Sequence, residues 1–128
     1  MGIENIPEMQ VMKKNPYEGE IDFVSQEPIS YSSRFTIIEG PEGRKYVFSV
    51  DKAISHTTLV NMFATLSFRK HEVRGFDGLS GGFLSIDGET IKFHGESEKF
   101  GKYDEQIVRP IAERWRQQNL PNHELVFE

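Results

Sequence analysis

Lys45-Tyr46-Val47-Phe48-Ser49-Val50 gives way, after four residues, to Ser55-His56-Thr57-Thr58-Leu59-Val60-Asn61-Met62-Phe63, and the apolar period changes between them. The first run is β-branched and aromatic, the composition of a strand. In the second, Leu59, Val60, Met62, Phe63 and Leu66 recur at helical spacing. Ser55 is placed to cap the opening turn, so the pattern predicts a helix from about 56 to 68 with His56 in its first turn.

Upstream, Arg34-Phe35-Thr36-Ile37-Ile38 reads as a second strand, and the Gly- and Pro-bearing segment 39–44 makes a hairpin with the first. Ile21-Asp22-Phe23-Val24 reads as a short strand. Residues 1–20, with Pro7 and Asn15-Pro16, show no sustained period and read as an irregular arm ahead of a single domain over 21–128. Downstream, Glu72 to Phe76 reads as a strand, and Gly75, Gly78, Gly81 and Gly82 break the stretch that follows. Phe83-Leu84-Ser85-Ile86 and Thr90-Ile91-Lys92-Phe93-His94 flank Asp87-Gly88-Glu89 as a second hairpin. A loop over 95–101 leads to a helix with Ile107, Ile111 and Trp115 on one stripe. Pro110 either kinks that helix or marks where its regular part starts. Glu124-Leu125-Val126-Phe127 closes the chain as a strand. Strands, helix, strands, helix, strand predicts an α+β fold: a mostly antiparallel, mixed sheet with two main helices packed on it.

Composition agrees. Among 128 residues there are 11 Ile, 8 Val, 10 Phe and 4 Tyr against 6 Leu and 3 Ala, a balance that favours strands over long helices. The absence of cysteine excludes disulfide scaffolds, thiolate zinc sites and cysteine nucleophiles, and fits a cytoplasmic protein. A formal charge of -5 removes the driving force for broad nucleic-acid binding. No apolar run approaches the roughly 18 residues of a membrane helix, and the N-terminus lacks signal-peptide blocks, so no membrane association is expected.

The four histidines, His56, His71, His94 and His123, have no metal-ligand spacing among them, so no metal is expected. His71 and His123 read as surface residues at strand starts, and His94 as one more strand residue. His56 differs in its place: a helix N-terminus disfavours imidazolium, and a neutral imidazole can take a proton at pH 7. The plainer reading is a capping or half-buried histidine. The segment Gly95-Glu96-Ser97-Glu98-Lys99-Phe100-Gly101 is the second candidate. Its glycines let successive amides turn inward to hold phosphate oxygens, with Ser97 as hydroxyl donor and Lys99 as cation. Against this, Glu96, Glu98, Asp104 and Glu105 make the local charge unfavourable, and the plainer reading is a connecting loop. Asp87-Gly88-Glu89-Thr90, Arg74-Gly75-Phe76-Asp77-Gly78 and Gly81-Gly82 read as turns, and the Ile107 stripe as core.

Taken with those two candidates, residues 34–127 resemble the small phosphohistidine phosphatases of the Janus or ocnus family. The likeness lies in the order and spacing of several short motifs: the strand opened by Arg34, the run from Lys45 to His56, Gly81-Gly82-Phe83-Leu84-Ser85, the Gly-x-Ser-x-x-aromatic-Gly pattern over 95–101, and the closing Leu120-Pro121-Asn122-His123-Glu124-Leu125-Val126-Phe127. The resemblance implies a metal-independent phosphatase, without cofactor, acting on phosphohistidine in a protein, peptide or small-molecule substrate, as a cytoplasmic monomer. It implies His56 as the catalytic group, the loop at Ser97, Glu98 and Lys99 as the holder of phosphate oxygens, and Arg34 as the basic substrate contact. The alternative it leaves is a non-catalytic module that binds phosphate or phosphopeptide with the same loop. The chain departs from the family pattern at Glu96, where an aromatic is usual, at Glu98, which is acidic, at Phe100, which replaces a tyrosine, and at Glu105, where a histidine often stands.

Overall fold

The computed structural model describes residues 8–13, 30–67 and 75–128. Among these, the strands are β1 (Met9–Met12), β2 (Ser30–Glu39), β3 (Lys45–Val50), β4 (Asp77–Asp87), β5 (Thr90–His94), β6 (Glu96–Ser97), β7 (Gly101–Lys102) and β8 (Glu124–Phe127). The helices are α1 (His56–Ser67) and α2 (Glu105–Asn119). The main path of the sheet runs β1-β3-β2-β4-β5-β8, with β6 and β7 attached beside β4. The central pairs β2/β3, β2/β4 and β4/β5 are antiparallel. The outer pairs β1/β3 and β5/β8 are parallel. The chain therefore forms the expected α+β fold, with a mixed sheet and two helices.

Several local expectations change. The arm is not irregular throughout, because Met9–Met12 pairs with β3 and buries Met9, Val11 and Met12. The strand read at 21–24, and His71 with Glu72 to Arg74, lie outside the described residues. The glycines at 78, 81 and 82 do not break the chain but sit inside the 11-residue strand β4. α2 begins at Glu105, capped by the Asp104 carboxylate, which accepts from the Gln106 amide at 2.9 Å. Pro110 lies inside it on the exposed side, where its missing donor leaves the solvated Gln106 carbonyl without a helical partner. His123 is buried, not a surface residue.

The two helices lie on opposite faces. Phe35, Ile37, Val47, Leu84, Ile86, Ile91 and Phe93 pack with Val108, Ile111, Ala112 and Trp115 of α2. The alternate positions Ile38, Phe48 and Val50 pack with Leu59, Val60, Met62 and Phe63 of α1. Side chains alternate across a strand, so each set belongs to one face. β2 records how far each helix reaches: Phe35 to Ile38 are buried on both sides, whereas upstream Tyr31 is buried and its neighbours Ser30 and Ser32 are exposed. In β4 and β5 the same alternation appears, with Leu84, Ile86, Ile91 and Phe93 buried and Phe83, Ser85, Lys92 and His94 only half-buried. Among the described residues, α1 thus covers only part of its face of the sheet. The open part begins where α1 begins.

Candidate functional site

His56 is the first residue of α1, and Ser55 caps the helix as expected: its hydroxyl accepts the Thr58 amide at 3.1 Å. From that position the imidazole turns back onto β4. Its Nε2 lies 3.1 Å from the Gly82 carbonyl, and the residue is 6% exposed. A carbonyl can only accept, so Nε2 carries the proton, and the neutral ring has its lone pair on Nδ1. Burial lowers the His56 pKa below the ordinary 6.5; the Gly82 bond opposes this and the nearby Arg34 charge adds to it. His56 is therefore an uncharged base at pH 7 with one ring nitrogen already fixed.

Gly81 explains how the ring reaches that carbonyl. A Cβ there would stand 2.6 Å from the Phe35 carbonyl oxygen and 2.8 Å from His56 Cδ2. Only a residue without a side chain leaves the ring its seat. Gly81-Gly82 is consequently neither a turn nor a break; it is the surface on which His56 rests.

Arg34 comes from β2, half-buried beside the histidine. Its Nη1 donates to the Ile54 carbonyl at 3.2 Å, and its Cζ lies 5.7 Å from the Phe83 ring centroid. From the opposite face, the buried Tyr31 hydroxyl donates to Ser49 Oγ at 2.6 Å, and Ser49 donates to the Arg34 carbonyl at 2.7 Å. Main chain and guanidinium of Arg34 are each held by a neighbouring element, while the remaining guanidinium donors stay available to an anion.

The segment 95–101 is a hairpin rather than a simple strand-to-helix loop. β6 and β7 pair antiparallel, Ser97 opposite Gly101, around a three-residue loop. Gly101, just after the loop, takes a left-handed conformation (φ 92°) that glycine adopts without strain. Ser97 Oγ accepts the Phe100 amide at 2.9 Å, and Phe100 packs on Gly78. Ser97 is buried, so its hydroxyl shapes the turn and does not offer itself to a ligand. Glu98 and Lys99 occupy the middle of the turn, and among the described residues no main-chain group accepts either of their amides. The helix that follows is already capped by Asp104 and does not open on this loop.

These pieces border one cleft of about 520 Å³, with Arg34, His56 and Phe83 on the sheet side and Glu96, Glu98 and Lys99 on the hairpin side. Of the expected residues, Arg34, His56, Glu98 and Lys99 line the cleft together; Ser97 stands behind its wall. The sequence reading missed Phe83, which lies across from Arg34 on β2 and from His94 on β5, and whose ring stacks on His94 at 5.9 Å. The signal was present: Leu84 and Ile86 alternate with Ser85 and Asp87, which puts Phe83 on the polar face. Among the described residues, no three His, Asp or Glu side chains converge as a metal site, and no helix is long and apolar enough to cross a membrane.

The sign of the His56 shift sets a pH expectation. Its folded pKa is depressed, so the folded state binds fewer protons than the unfolded chain just below pH 6.5, and the stability it contributes is present above that value and lost as pH falls through the folded pKa. Any activity that uses the neutral ring should show an acid limb with an apparent pKa below 6.5; a kcat/KM profile falling off above that value would contradict the assignment.

The chain matches no protein-family model and no curated protein.

Proposed function

We propose that the protein is a metal-independent phosphatase for N-phosphorylated substrates, phosphohistidine first. The observation that carries this reading is the state of His56: a neutral imidazole, pinned through Nε2–H to Gly82, in a cleft that also holds a guanidinium. A phosphoramidate is already a reactive phosphoryl donor, so catalysis needs positioning and charge neutralisation more than strong activation. His56 Nδ1 draws a proton from water as the water oxygen bonds to phosphorus. The P–N bond breaks, the leaving imidazole nitrogen takes up a proton from solvent, and His56 releases the proton it drew from water to solvent. Arg34 and the amides of Glu98 and Lys99 neutralise the phosphoryl oxygens. Attack by His56 on phosphorus itself is the competing route, and trapping of a phosphorylated His56 distinguishes the two.

Incubation with a chemically phosphorylated histidine peptide, with chelator present, tests the proposal. Phosphate release supports it; saturable binding without release favours a non-catalytic phosphopeptide module, the reading suggested by Glu96 and Glu98 on the rim. Replacing Arg34 by alanine is expected to raise KM about tenfold with a smaller change in kcat, the scale of one charge-assisted hydrogen bond. Steady-state kinetics on the same peptide checks this, and an unaltered KM would remove Arg34 from the role.

A further inference from the structure

The cleft does not end at Arg34 and Phe83. Beyond them a second cavity, of about 280 Å³, is lined by the same two side chains together with Ser32, Asp51, Lys52 and Ala53. Its wall is fixed: Ser33 Oγ donates to the carbonyls of Val50 at 2.6 Å and Lys52 at 2.9 Å, while Arg34 holds Ile54, so the β3–α1 connection is tied to β2 at adjacent residues. Arg34 belongs to the wall that the two cavities share, and Ser32, two residues away on the same face of β2, stands about 7 Å further along the strand in the second. An extended polypeptide has the same repeat on its own two faces, so side chains i and i+2 fall one into each cavity. A free N-phosphorylated small molecule fills only the first.

We propose that the second cavity is a subsite for the polypeptide that carries the phosphoryl group, receiving the side chain two positions from the phosphorylated residue. The proposal rests on the phosphate-site reading of the first cavity. The Phe83 ring suits the aliphatic stem of that side chain. Ser32, Asp51 and Lys52 suit a polar head. The residue between the two points away from the sheet and carries no selectivity.

The test compares a short phosphohistidine peptide with free phosphohistidine as substrates. Burial of one more side chain is worth about a tenfold preference in kcat/KM for the peptide. That preference should drop on placing glycine two positions from the phosphohistidine, on the side that enters the subsite, and persist with glycine at the adjacent position. Ala53→Trp, which fills the cavity from the loop, and Ser32→Tyr, which fills it from the sheet, should each bring the ratio towards one. Should the tryptophan variant fail to fold, the tyrosine variant decides. A wild-type ratio near one, or a ratio kept within about twofold in the folded variants, overturns the subsite. If neither substrate is turned over, the phosphatase reading falls alone. The dissociation constants of a non-hydrolysable phosphonate analogue, in a peptide and as the free amino acid, then decide the subsite by the same ratio.

Discussion

Replacement of His56 by alanine is expected to lower kcat on a phosphohistidine peptide by about a thousandfold, the middle-to-upper contribution of a positioned general base. Three features of the structure make the expectation large. The ring is the basic group at the point where sheet, helix start and hairpin meet, and its lone pair sits on Nδ1 because Nε2 is committed to Gly82. Burial lowers its pKa below 6.5, so the neutral, basic form predominates at pH 7. The loss should not be a folding effect: the core of α1 lies in Leu59, Val60, Met62 and Phe63, one turn further on, and Ser55 caps the helix independently of the imidazole. The Gly82 carbonyl loses its side-chain donor, at a cost of about 1–3 kcal/mol if water does not replace it. Circular dichroism and thermal melting separate that cost from the catalytic loss. A variant that retains wild-type turnover removes His56 from the chemistry.

The second large effect is expected at Gly81. An alanine there would place a methyl group 2.6 Å from the Phe35 carbonyl oxygen and 2.8 Å from the His56 ring. The first neighbour is main chain in the central strand β2, paired on both sides, and cannot yield. The second can yield only by leaving Gly82. Overpacking of this kind costs about 3 kcal/mol, the upper end of the ordinary range, and more where backbone is the obstacle. Chemical denaturation of Gly81→Ala should show a midpoint lowered accordingly at constant m-value. Turnover should fall further than the folded fraction accounts for, because the strain is relieved by moving the imidazole. A variant with wild-type stability would mean that the strand shifts freely at this point, against the geometry described.

The fold was legible in the sequence wherever the apolar period was clean. α1 and its Ser55 cap, the strands β3, β5 and β8, and both hairpin connections follow from pattern and turn chemistry alone. β4 was not legible as one strand, because glycine at 78, 81 and 82 resembles punctuation until the partners that need the space, Phe100 and His56, are in view. β1 was hidden because a run of four residues carries too little period to separate from chance, and its stability comes from pairing with β3, a contact nearly forty residues away. His123 was misjudged for a related reason: the residue is polar and precedes a strand, yet it is buried in the turn after α2, where its amide donates to the Leu120 carbonyl and its own carbonyl accepts from Arg116. At the site, the helix start that carries His56 was legible, but the burial that lowers its pKa comes from tertiary packing against β4. The hairpin was only partly legible. Its glycines and serine signal a turn, but that Ser97 turns inward to hold Phe100 is a tertiary fact.

α2 roofs one side of the sheet, while α1 roofs only the part beyond Gly81 on the other. The part that remains carries Phe83, Ser85, Lys92 and His94, each half-buried, whose alternates on the same strands are the buried Leu84, Ile86, Ile91 and Phe93. Solvent-facing and cohesive side chains are thus written on opposite sides of the same ribbons. Replacement of a surface side chain usually costs about 0.5 kcal/mol or less, so this face can be rewritten at less cost than the core beneath it. A lineage built on such a sheet is free to change the surface it presents long before it must change how it folds.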